Sequence, residues 1–321
     1  MKKLTIVLLN LSLMSLVACS SKKATIEDLN LLKSAQQSFD VIPETLIDKD
    51  QNKEIIQLGK KLYFETKLSK SGTISCNSCH NLETFGVDNK ATSPGHDGTL
   101  GGRNSPTSLN AALHFRQFWD GRAKDVEEQA LGPILNPIEH GIKDEKEAVK
   151  AINTDEYITL FKDANLELNF KNIGVAIGAF ERTLMTPSRF DDFLKGDVFA
   201  LSDEERSGLR KFMQVGCTTC HSGQSIGGQM YQKLGSIKPY KTQDTGRFQV
   251  TNKSRDKFKF KVPGLRNIEK TGPYFHDGSI KTLDRSIEIM AEYQLGKTLT
   301  KNEVSEIKAF LKSLTAKSVK Y

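Results

Sequence analysis

Apolar side chains recur at intervals of three and four residues in several parts of the chain, which predicts amphipathic helices. The stretches with this spacing are residues 52–65, 125–131, 143–164, 170–184, 202–215 and 300–314. The last two begin with a serine or threonine followed three residues later by glutamate, the pattern of a capping box. Residues 81–110 and 222–264 have no clear period, and we expect ordered loops there, with a short hairpin in the second. The pattern indicates a mainly α fold with long loops between helices.

The start of the chain has the pattern of an export signal. A basic beginning is followed by an apolar run over residues 4–17. Leu16–Cys19 resembles the lipobox of bacterial lipoproteins, in which the signal is cut before a cysteine that is then acylated. We therefore expect a lipoprotein signal peptide over residues 1–18, lipidation of Cys19, and a tether or linker over residues 19–41. The alternative is an ordinary secretory signal, and either version places the mature chain on the periplasmic side of a bacterial membrane.

Length and charge limit the organisation of the mature chain. About 300 residues exceed what one core usually serves, so we expect two domains, residues 42–188 and 189–321, with the boundary near Pro187. The formal net charge of +7 is spread along the chain, without an arginine-rich arm or a nucleic-acid motif. The lysines are interpreted mostly as solvated surface, or more weakly as steering an acidic partner. Beyond the signal, the sequence has no stretch apolar enough to span a bilayer.

Two Cys-x-x-Cys-His runs carry the clearest chemistry. They are Cys76 to His80 and Cys217 to His221, in a chain with five cysteines. This spacing is typical of covalent c-type haem attachment, in which two thiols bond the haem edge and the next histidine binds the iron. A pair of redox dithiols or a four-cysteine zinc site is the alternative, but both runs end in histidine and lie far apart. One haem is therefore expected in each half of the chain.

The ligand on the other side of each iron decides between electron transfer and chemistry. His96 lies among glycines in a segment that can move at low cost, so it fits either a removable ligand or a surface loop residue. His114 is interpreted as a packing or surface residue. Met290 lies on a short helical stretch and is by itself as compatible with a core position as with a ligand role. The other candidates of the same residue types are His140, His276, Met185, Met213 and Met230.

Several short motifs together make the chain similar to the bacterial dihaem cytochrome c peroxidases, a family that includes the MauG-type enzymes. The motifs follow the family's order over about residues 50–296. They are Ser75–His80, Gly101–Thr107, Phe118–Arg122, Glu128–Ala130, Gly132–Glu139, Gly216–His221, Leu265–Asn267 and Thr271–Gly278. The resemblance implies two cytochrome c-like domains and reduction of hydrogen peroxide with electrons from a small donor, either a monohaem cytochrome c or a cupredoxin. Homodimers are common in the family, so a homodimer is a further expectation.

The resemblance also implies a role for individual residues. It assigns the haem on Cys76 and Cys79 to peroxide chemistry and the haem on Cys217 and Cys220 to electron transfer. The implied iron ligands are His80, His96, His221 and Met290, and the implied calcium ligands are Asn104 and the carbonyls of Thr271 and Pro273. The implied catalytic residues are Glu139 as acid–base, Gln129 as a peroxide-orienting group and Trp119 between the haems. His276 is expected to contact a haem propionate.

Two positions bear on the alternatives to a peroxidase. His140 stands where many relatives have methionine, and its imidazole either changes the proton supply or faces solvent. A tyrosine is the distal ligand in MauG-type enzymes, whereas this chain has Met290. That difference favours a peroxidase over a MauG-type oxidase that acts on a partner protein. A dihaem electron carrier without catalysis is the other alternative, and a structural lipoprotein that uses haem as a staple fits the motifs least.

Overall fold

The computed structural model describes residues 23–47 and 53–321. The predicted signal peptide and Cys19 lie outside these residues. The described residues form helices α1 to α12, which are Ile26–Gln36, Lys53–Tyr63, Cys76–Cys79, Val126–Leu135, Glu145–Ala151, Asp155–Asp163, Phe170–Glu181, Arg189–Leu194, Asp203–Val215, Phe248–Thr251, Leu283–Ile289 and Lys301–Ser313. Strands β1 and β2, Tyr231–Lys233 and Lys259–Lys261, pair antiparallel with Tyr231 opposite Lys261. The fold is mainly helical. The strand pair lies in the segment where the sequence predicts a short hairpin, but a long connection that contains α10 joins its strands.

Two helical stretches differ from the prediction. The stretch 143–164 is two helices, because Thr154 caps α6 and its hydroxyl accepts the N–H of Tyr157 at 3.4 Å. Helix α4 continues to Leu135 through Pro133. Proline keeps a helical φ, but it removes the N–H that would bond the carbonyl of Gln129, and its ring crowds that carbonyl. Both capping boxes, at Ser202 and Thr300, are present as predicted.

Buried residues form two separate clusters. One cluster draws on residues between Ile55 and Leu184, and the other on residues 31–39 and 190–314. The prediction of a linker over residues 19–41 is therefore wrong for Ile26–Gln36, which forms helix α1 and packs against the second cluster. Phe39 lies edge-on to Phe190 at 5.3 Å between ring centroids. Leu31, Ala35 and Phe39 form a narrow apolar stripe within this mostly polar segment. The acidic residues beside the stripe pair with arginines of α9.

Each cluster contains a close crossing of two helices, formed in the same way. A Cβ atom at Gly59 in α2 would lie 1.8 Å from the carbonyl oxygen of Ala176 in α7. A Cβ atom at Gly208 in α9 would likewise lie 1.8 Å from the carbonyl oxygen of Glu306 in α12. Only glycine permits such an approach. In both halves the crossing helix with the glycine is the one that leads to a Cys-x-x-Cys-His run, so the crossing sets the position of that run.

None of the helices in the described part of the chain combines the length and the apolar character that crossing a membrane requires.

Candidate active site

The first Cys-x-x-Cys-His run is a single helical turn, α3. Its first residue is preceded by Ser75, whose N–H donates to the hydroxyl of Ser78 at 3.0 Å. The N–H of His80 donates to the carbonyl of Cys76 at 2.9 Å and closes the turn. The hydroxyl of Tyr63, on α2, donates to the carbonyl of His80 at 2.7 Å. The helix that crosses α7 therefore also fixes the backbone of the histidine.

The second run follows α9 directly. Gly216 ends that helix with φ of 100°, a conformation that favours glycine, and Cys217–Thr219 forms a 3₁₀ turn. The N–H of His221 donates to the carbonyl of Cys217 at 3.0 Å. Nδ1 of His221 donates to the carbonyl of Ile226 at 3.3 Å, which leaves Nε2 free to bind a metal. Both runs thus present two thiols and one imidazole with the same backbone closure.

The four thiols do not have the character of redox centres. Burial raises the pKa of Cys76 and of Cys217 to about 12, and it also raises the pKa of Cys79 and Cys220. Reactive dithiols have lowered thiol pKa values, so this environment disfavours the redox-dithiol alternative. Over residues 23–47 and 53–321, no three His, Cys, Asp or Glu side chains are grouped closely enough to hold a metal ion. The zinc alternative therefore has no support in the described part of the chain.

A cavity beside the first run brings together most of the residues predicted for peroxide chemistry. We call it the N-terminal cavity. Its wall contains Cys76, Cys79, His80, Trp119, Gln129 and Glu139. The guanidinium of Arg122 also lines it and lies 3.4 Å from the ring centroid of Phe118. Residues as far apart in sequence as Cys76 and Glu139 thus share one wall, as the resemblance implies.

Glu139 has an environment suited to acid–base chemistry. Burial raises the pKa of its carboxyl, while Arg122 and a hydrogen bond from Asn136 lower it in part. That bond runs from Nδ2 of Asn136 to Oε1 of Glu139 at 2.8 Å. A raised carboxyl pKa brings the group nearer to the pH at which it can both accept and donate a proton. The bond from Asn136 also fixes the direction in which the carboxyl points.

The structure does not bring His96 into this group. His96 is absent from the cavity wall, and its ring lies against Gly141, where an added Cβ atom would be 2.3 Å from Nε2. The N–H of His96 donates to the carbonyl of Glu139 at 2.8 Å. His140 is buried, and its Nδ1 donates to the carbonyl of Leu68 at 2.7 Å, so the alternative in which its ring faces solvent is wrong. An effect of His140 on the proton supply stays a prediction. The glycine-rich loop is held by backbone contacts with the segment that carries the acid.

Glu181 is a residue of this cavity that sequence reasoning missed. It lies in the cavity wall at the end of α7 and is buried. Burial, together with the charge of Glu127, raises its pKa to about 8, and Arg182 lowers it only in part. The sequence did contain a signal for it, because Glu181 lies on the apolar stripe of a predicted helix. A carboxylate in such a position is rarely buried unless it is paired or neutral.

A second cavity, the C-terminal cavity, lies beside the second run. Its wall contains Cys217, Cys220, His221, His276 and Met290. Met290 begins a π-helical segment, Met290–Gln294, that continues α11, whereas Met230 is 38% exposed. The described structure therefore places the implied histidine and methionine ligands in one cavity.

His276 fits a position beside an acidic group within this cavity. Its side chain is 2% exposed, and its ring stacks on Phe260 with 4.3 Å between centroids. Nε2 lies 3.0 Å from the hydroxyl of Thr242. Nδ1 is buried and has no hydrogen-bond partner among the described residues. A buried nitrogen without a partner is uncommon, and a group bound in the cavity would supply one.

Trp119 and Asn104 lie in the walls of both cavities. Nε1 of Trp119 donates to the carbonyl of Asn104 at 2.9 Å, and the N–H of Asn104 donates to the carbonyl of His276 at 2.8 Å. These bonds tie the only tryptophan of the chain to residues of each half. The indole therefore lies between the two cavities, as the resemblance implies.

The implied calcium residues lie close to this junction. Thr271 and Pro273 line the C-terminal cavity, and Asn104 lines both cavities. The side-chain amide of Asn89 donates to the carbonyls of Lys270 and Gly272 at 2.9 Å each. These two residues precede Thr271 and Pro273, so the bonds fix the backbone that carries the implied calcium ligands. Nδ2 of Asn104 donates to the carbonyl of Lys90 at 3.0 Å, so its oxygen is the atom left for a cation.

The residues present fit two haems. The C-terminal cavity has a mainly apolar wall and the N-terminal cavity a mixed one, and each receives two thiols and one imidazole from a Cys-x-x-Cys-His run. Burial lowers the pKa of both His80 and His221, the latter to about 4, so both rings are neutral and can bind iron at neutral pH. The thiols and imidazoles of the two runs line the cavities, and so does His276 with its unpaired nitrogen.

Comparisons with known proteins agree with this geometry. Residues 53–198 match the model of the family described as di-haem cytochrome c peroxidase. The chain is 45% identical to the cytochrome c551 peroxidase of Nitrosomonas europaea, over 98% of this chain and 92% of that protein. It is 42% identical to the cytochrome c551 peroxidase of Pseudomonas aeruginosa, over 88% of this chain and 86% of that protein.

A solved structure gives the same result for the fold. The crystal structure of a MauG-like protein associated with microbial copper homeostasis superposes with a TM-score of 0.76 and 28% identity, over 87% of this chain and 94% of that one. The 45% identity to the Nitrosomonas europaea enzyme over nearly the whole length establishes the relationship, and the two thiol–imidazole cavities agree with it. The chain belongs to the bacterial dihaem cytochrome c peroxidase and MauG family and is an enzyme of the cytochrome c peroxidase type.

Proposed function

We propose that this enzyme reduces hydrogen peroxide to water in the N-terminal cavity, with electrons from a small periplasmic redox protein. A monohaem cytochrome c and a cupredoxin are the two classes of donor that fit. The observation that carries the proposal is that Glu139 and Gln129 share a cavity wall with the first Cys-x-x-Cys-His run. An acid–base group and an amide beside a haem site are the groups that peroxide reduction requires.

The residues that would hold the cofactors are those of the two runs. Cys76, Cys79 and His80 would hold one covalent haem, and Cys217, Cys220, His221 and Met290 would hold the other. When bound, the haems supply iron and the electrons that break the O–O bond. A thioether ligand favours ferrous iron and raises the potential, so Met290 suits the electron-transfer site. Among the described residues, the wall of the N-terminal cavity, which contains His80, has no methionine, and this suits the haem at which peroxide would react.

Proton movement is the part of the reaction that the chain's own residues perform. The reaction combines hydrogen peroxide with two electrons and two protons and yields two waters. Glu139 takes the proton from the inner peroxide oxygen and returns it to the outer one, which leaves as water. The amide of Gln129 orients peroxide by hydrogen bonding. The positive charge of Arg122 keeps the pKa of Glu139 from rising further and so preserves its ability to release the proton.

His96 is proposed to be a removable ligand of the first haem. In the described conformation its ring lies outside the cavity wall and its N–H is bonded to the carbonyl of Glu139. This arrangement leaves the side of the cavity with Glu139 and Gln129 accessible to peroxide. We place His96 on the iron only in the fully oxidised enzyme, and its movement would follow reduction of the second haem.

The junction between the cavities is proposed to carry the electron. Trp119 lies in both walls, so its indole is the aromatic group that links the two haem sites. A calcium ion held by Asn104 and the carbonyls of Thr271 and Pro273 would keep that junction ordered. Oxygen donors of this kind suit calcium. The lipid anchor on Cys19, the periplasmic location and a homodimer complete the proposal.

A MauG-type oxidase that acts on a partner protein is the alternative function. The relationship to a MauG-like protein keeps this class within the family. Met290 occupies the position at which the MauG-type enzymes carry a tyrosine ligand, and it lies in the wall of the C-terminal cavity. A thioether at this site favours an electron reservoir rather than oxidation of a protein, so we give precedence to the peroxidase.

The test compares two glutamine variants of the holoenzyme. Glu139→Gln removes the acid–base group and keeps the shape, so we expect peroxide turnover to fall by about 10²–10⁴-fold with both haem spectra unchanged. Glu128→Gln, on the exposed side of α4, is the matched control and should retain the wild-type rate. Near wild-type turnover in Glu139→Gln would remove that residue from the reaction, and an equal loss in both variants would indicate a general effect of charge.

A further inference from the structure

Lys261 is a buried amine in the wall of the C-terminal cavity. It lies on β2, and the whole residue is 6% exposed. Its backbone N–H donates to the carbonyl of Trp119 at 2.7 Å, and pairing with Tyr231 fixes its place on the strand. Lysine is almost never buried to this extent without a partner for its charge. Its neighbours therefore need to be identified.

The ammonium group of Lys261 contacts a neutral histidine. Nζ donates to Nδ1 of His114 at 3.2 Å, and Nε2 of His114 lies 3.1 Å from the hydroxyl of Ser225. An ammonium cannot accept a hydrogen bond, so Nδ1 is the acceptor and Nε2 carries the proton. Burial and the charge of Lys261 lower the pKa of His114 well below its ordinary value. His114 therefore orients the amine but cannot offset its charge.

Acidic side chains do not offset that charge either. Burial lowers the pKa of Lys261 to about 8, and no carboxylate among the described residues counters this effect. The amine is thus still mainly protonated at neutral pH. An isolated charge in a mainly apolar wall is costly, and it is usually found paired with an anion. The open side of Lys261 is the cavity, so the expected anion is a group bound there.

We propose that Lys261, oriented by His114 and Ser225, is the counter-ion of a propionate carboxylate of the haem in the C-terminal cavity. The inference rests on the proposed placement of that haem and adds a residue to its binding site. His276 lines the same cavity and has an unpaired nitrogen. A haem has two propionates, so His276 and Lys261 together offer two polar contacts for them. A cation beside the haem favours ferrous iron, because it opposes the extra positive charge of the ferric state. Lys261 thus adds to the effect of Met290 on the potential.

The test measures the ferric–ferrous equilibrium of the C-terminal haem by spectroelectrochemical titration of the full-length holoprotein. Lys261→Met removes the charge, and we expect the equilibrium to move toward ferric iron by roughly tenfold, the order of magnitude for one unit charge at the edge of the cofactor. Lys261→Gln keeps a polar group in the buried position and should give the same change. Lys261→Arg keeps the charge and should stay within roughly threefold of the wild type.

A second lysine on the same strand provides the control. Lys259 is paired with Asp256 at 3.4 Å and does not belong to the cavity wall, so Lys259→Met should leave the equilibrium nearly unchanged. The propionate bending band in the resonance Raman spectrum should shift in Lys261→Met and stay constant in Lys259→Met. Equal effects of the two substitutions, or an unchanged equilibrium and band in Lys261→Met, would overturn the inference.

The haem content separates this inference from the proposed function. A pyridine haemochrome measurement of two haems per wild-type chain, together with the expected shift, supports both. Two haems with no shift in Lys261→Met overturns the role of Lys261 alone. One haem per chain would overturn the placement of the second haem and, with it, the proposed counter-ion.

Discussion

A buried ion pair holds the wall of the C-terminal cavity, and its loss should be expensive. Arg266 lines that cavity and binds Asp191 of α8 through two hydrogen bonds of 2.7 and 2.8 Å. Both side chains are at most 1% exposed. Asp191 also accepts the N–H of Ser188 at 2.8 Å and that of Ile42 at 3.0 Å. The carboxylate thus joins three separate parts of the chain. We therefore expect Asp191→Asn to be severely destabilising.

The size of the effect follows from burial and geometry. Asparagine keeps the shape but leaves the guanidinium unpaired, and one side-chain oxygen becomes an NH₂ facing other donors. Breaking one partner of a buried pair costs about 3–5 kcal/mol, so this is the expected loss in the free energy of unfolding. Burial alone would raise the pKa of Asp191, but Arg266 and the backbone donors lower it overall. The contribution is therefore present above the ordinary carboxyl pKa and is lost only as the pH falls below it.

The assay is urea unfolding of the holoprotein followed by far-UV circular dichroism. Glu288→Gln is the control, because Glu288 and Arg285 form an exposed pair worth about 0–1 kcal/mol. The double variant Asp191→Leu with Arg266→Met should lose less than the sum of the two single variants, because no lone charge is left buried. A loss below about 1 kcal/mol for Asp191→Asn would refute the reasoning, since it would mean that the pair is solvated.

Two further outcomes concern stability. Glu181 is neutral up to its pKa of about 8, whereas in the unfolded chain it ionises near 4.5, so wild-type stability should fall between these values as the pH rises. Glu181→Gln should remove this dependence of stability on pH, which urea unfolding at pH 5 and pH 8 would measure. An equal loss in the free energy of unfolding between the two pH values in wild type and variant would contradict the idea. Gly208→Ala should cost about 1–3 kcal/mol because its Cβ would meet a carbonyl at 1.8 Å. Gly102→Ala, whose added Cβ would have no atom within 4 Å, should leave the free energy of unfolding nearly unchanged in the same urea assay.

Sequence reasoning succeeded where one residue type at one spacing determines the outcome. The capping boxes at Ser202 and Thr300 form because serine or threonine and glutamate satisfy each other's backbone donors locally. The two Cys-x-x-Cys-His runs share one backbone closure for the same reason, because the bond from the histidine N–H to the first cysteine's carbonyl is local. Glu139 and Gln129, which the family motifs single out, share one cavity wall, and their catalytic roles stay predictions.

Features that depend on distant partners were not predictable. Helix α1 was hidden because Asp28 makes it look polar, although that carboxylate pairs with Arg206 at 2.9 Å. Lys261 and His114 are 147 positions apart, and nothing local to either indicates their contact. Glu181 was overlooked because a carboxylate on a helix is usually solvated. In each case a tertiary contact reverses what local polarity suggests.

The most direct measurement is stopped-flow mixing of peroxide with fully oxidised and half-reduced holoenzyme, with the haem spin state followed optically. We expect the half-reduced enzyme to consume peroxide rapidly and to contain one high-spin haem, because the wall with Glu139 and Gln129 is then accessible. Peroxide that survives contact with half-reduced enzyme, while both haems stay low-spin, would contradict catalysis in the N-terminal cavity.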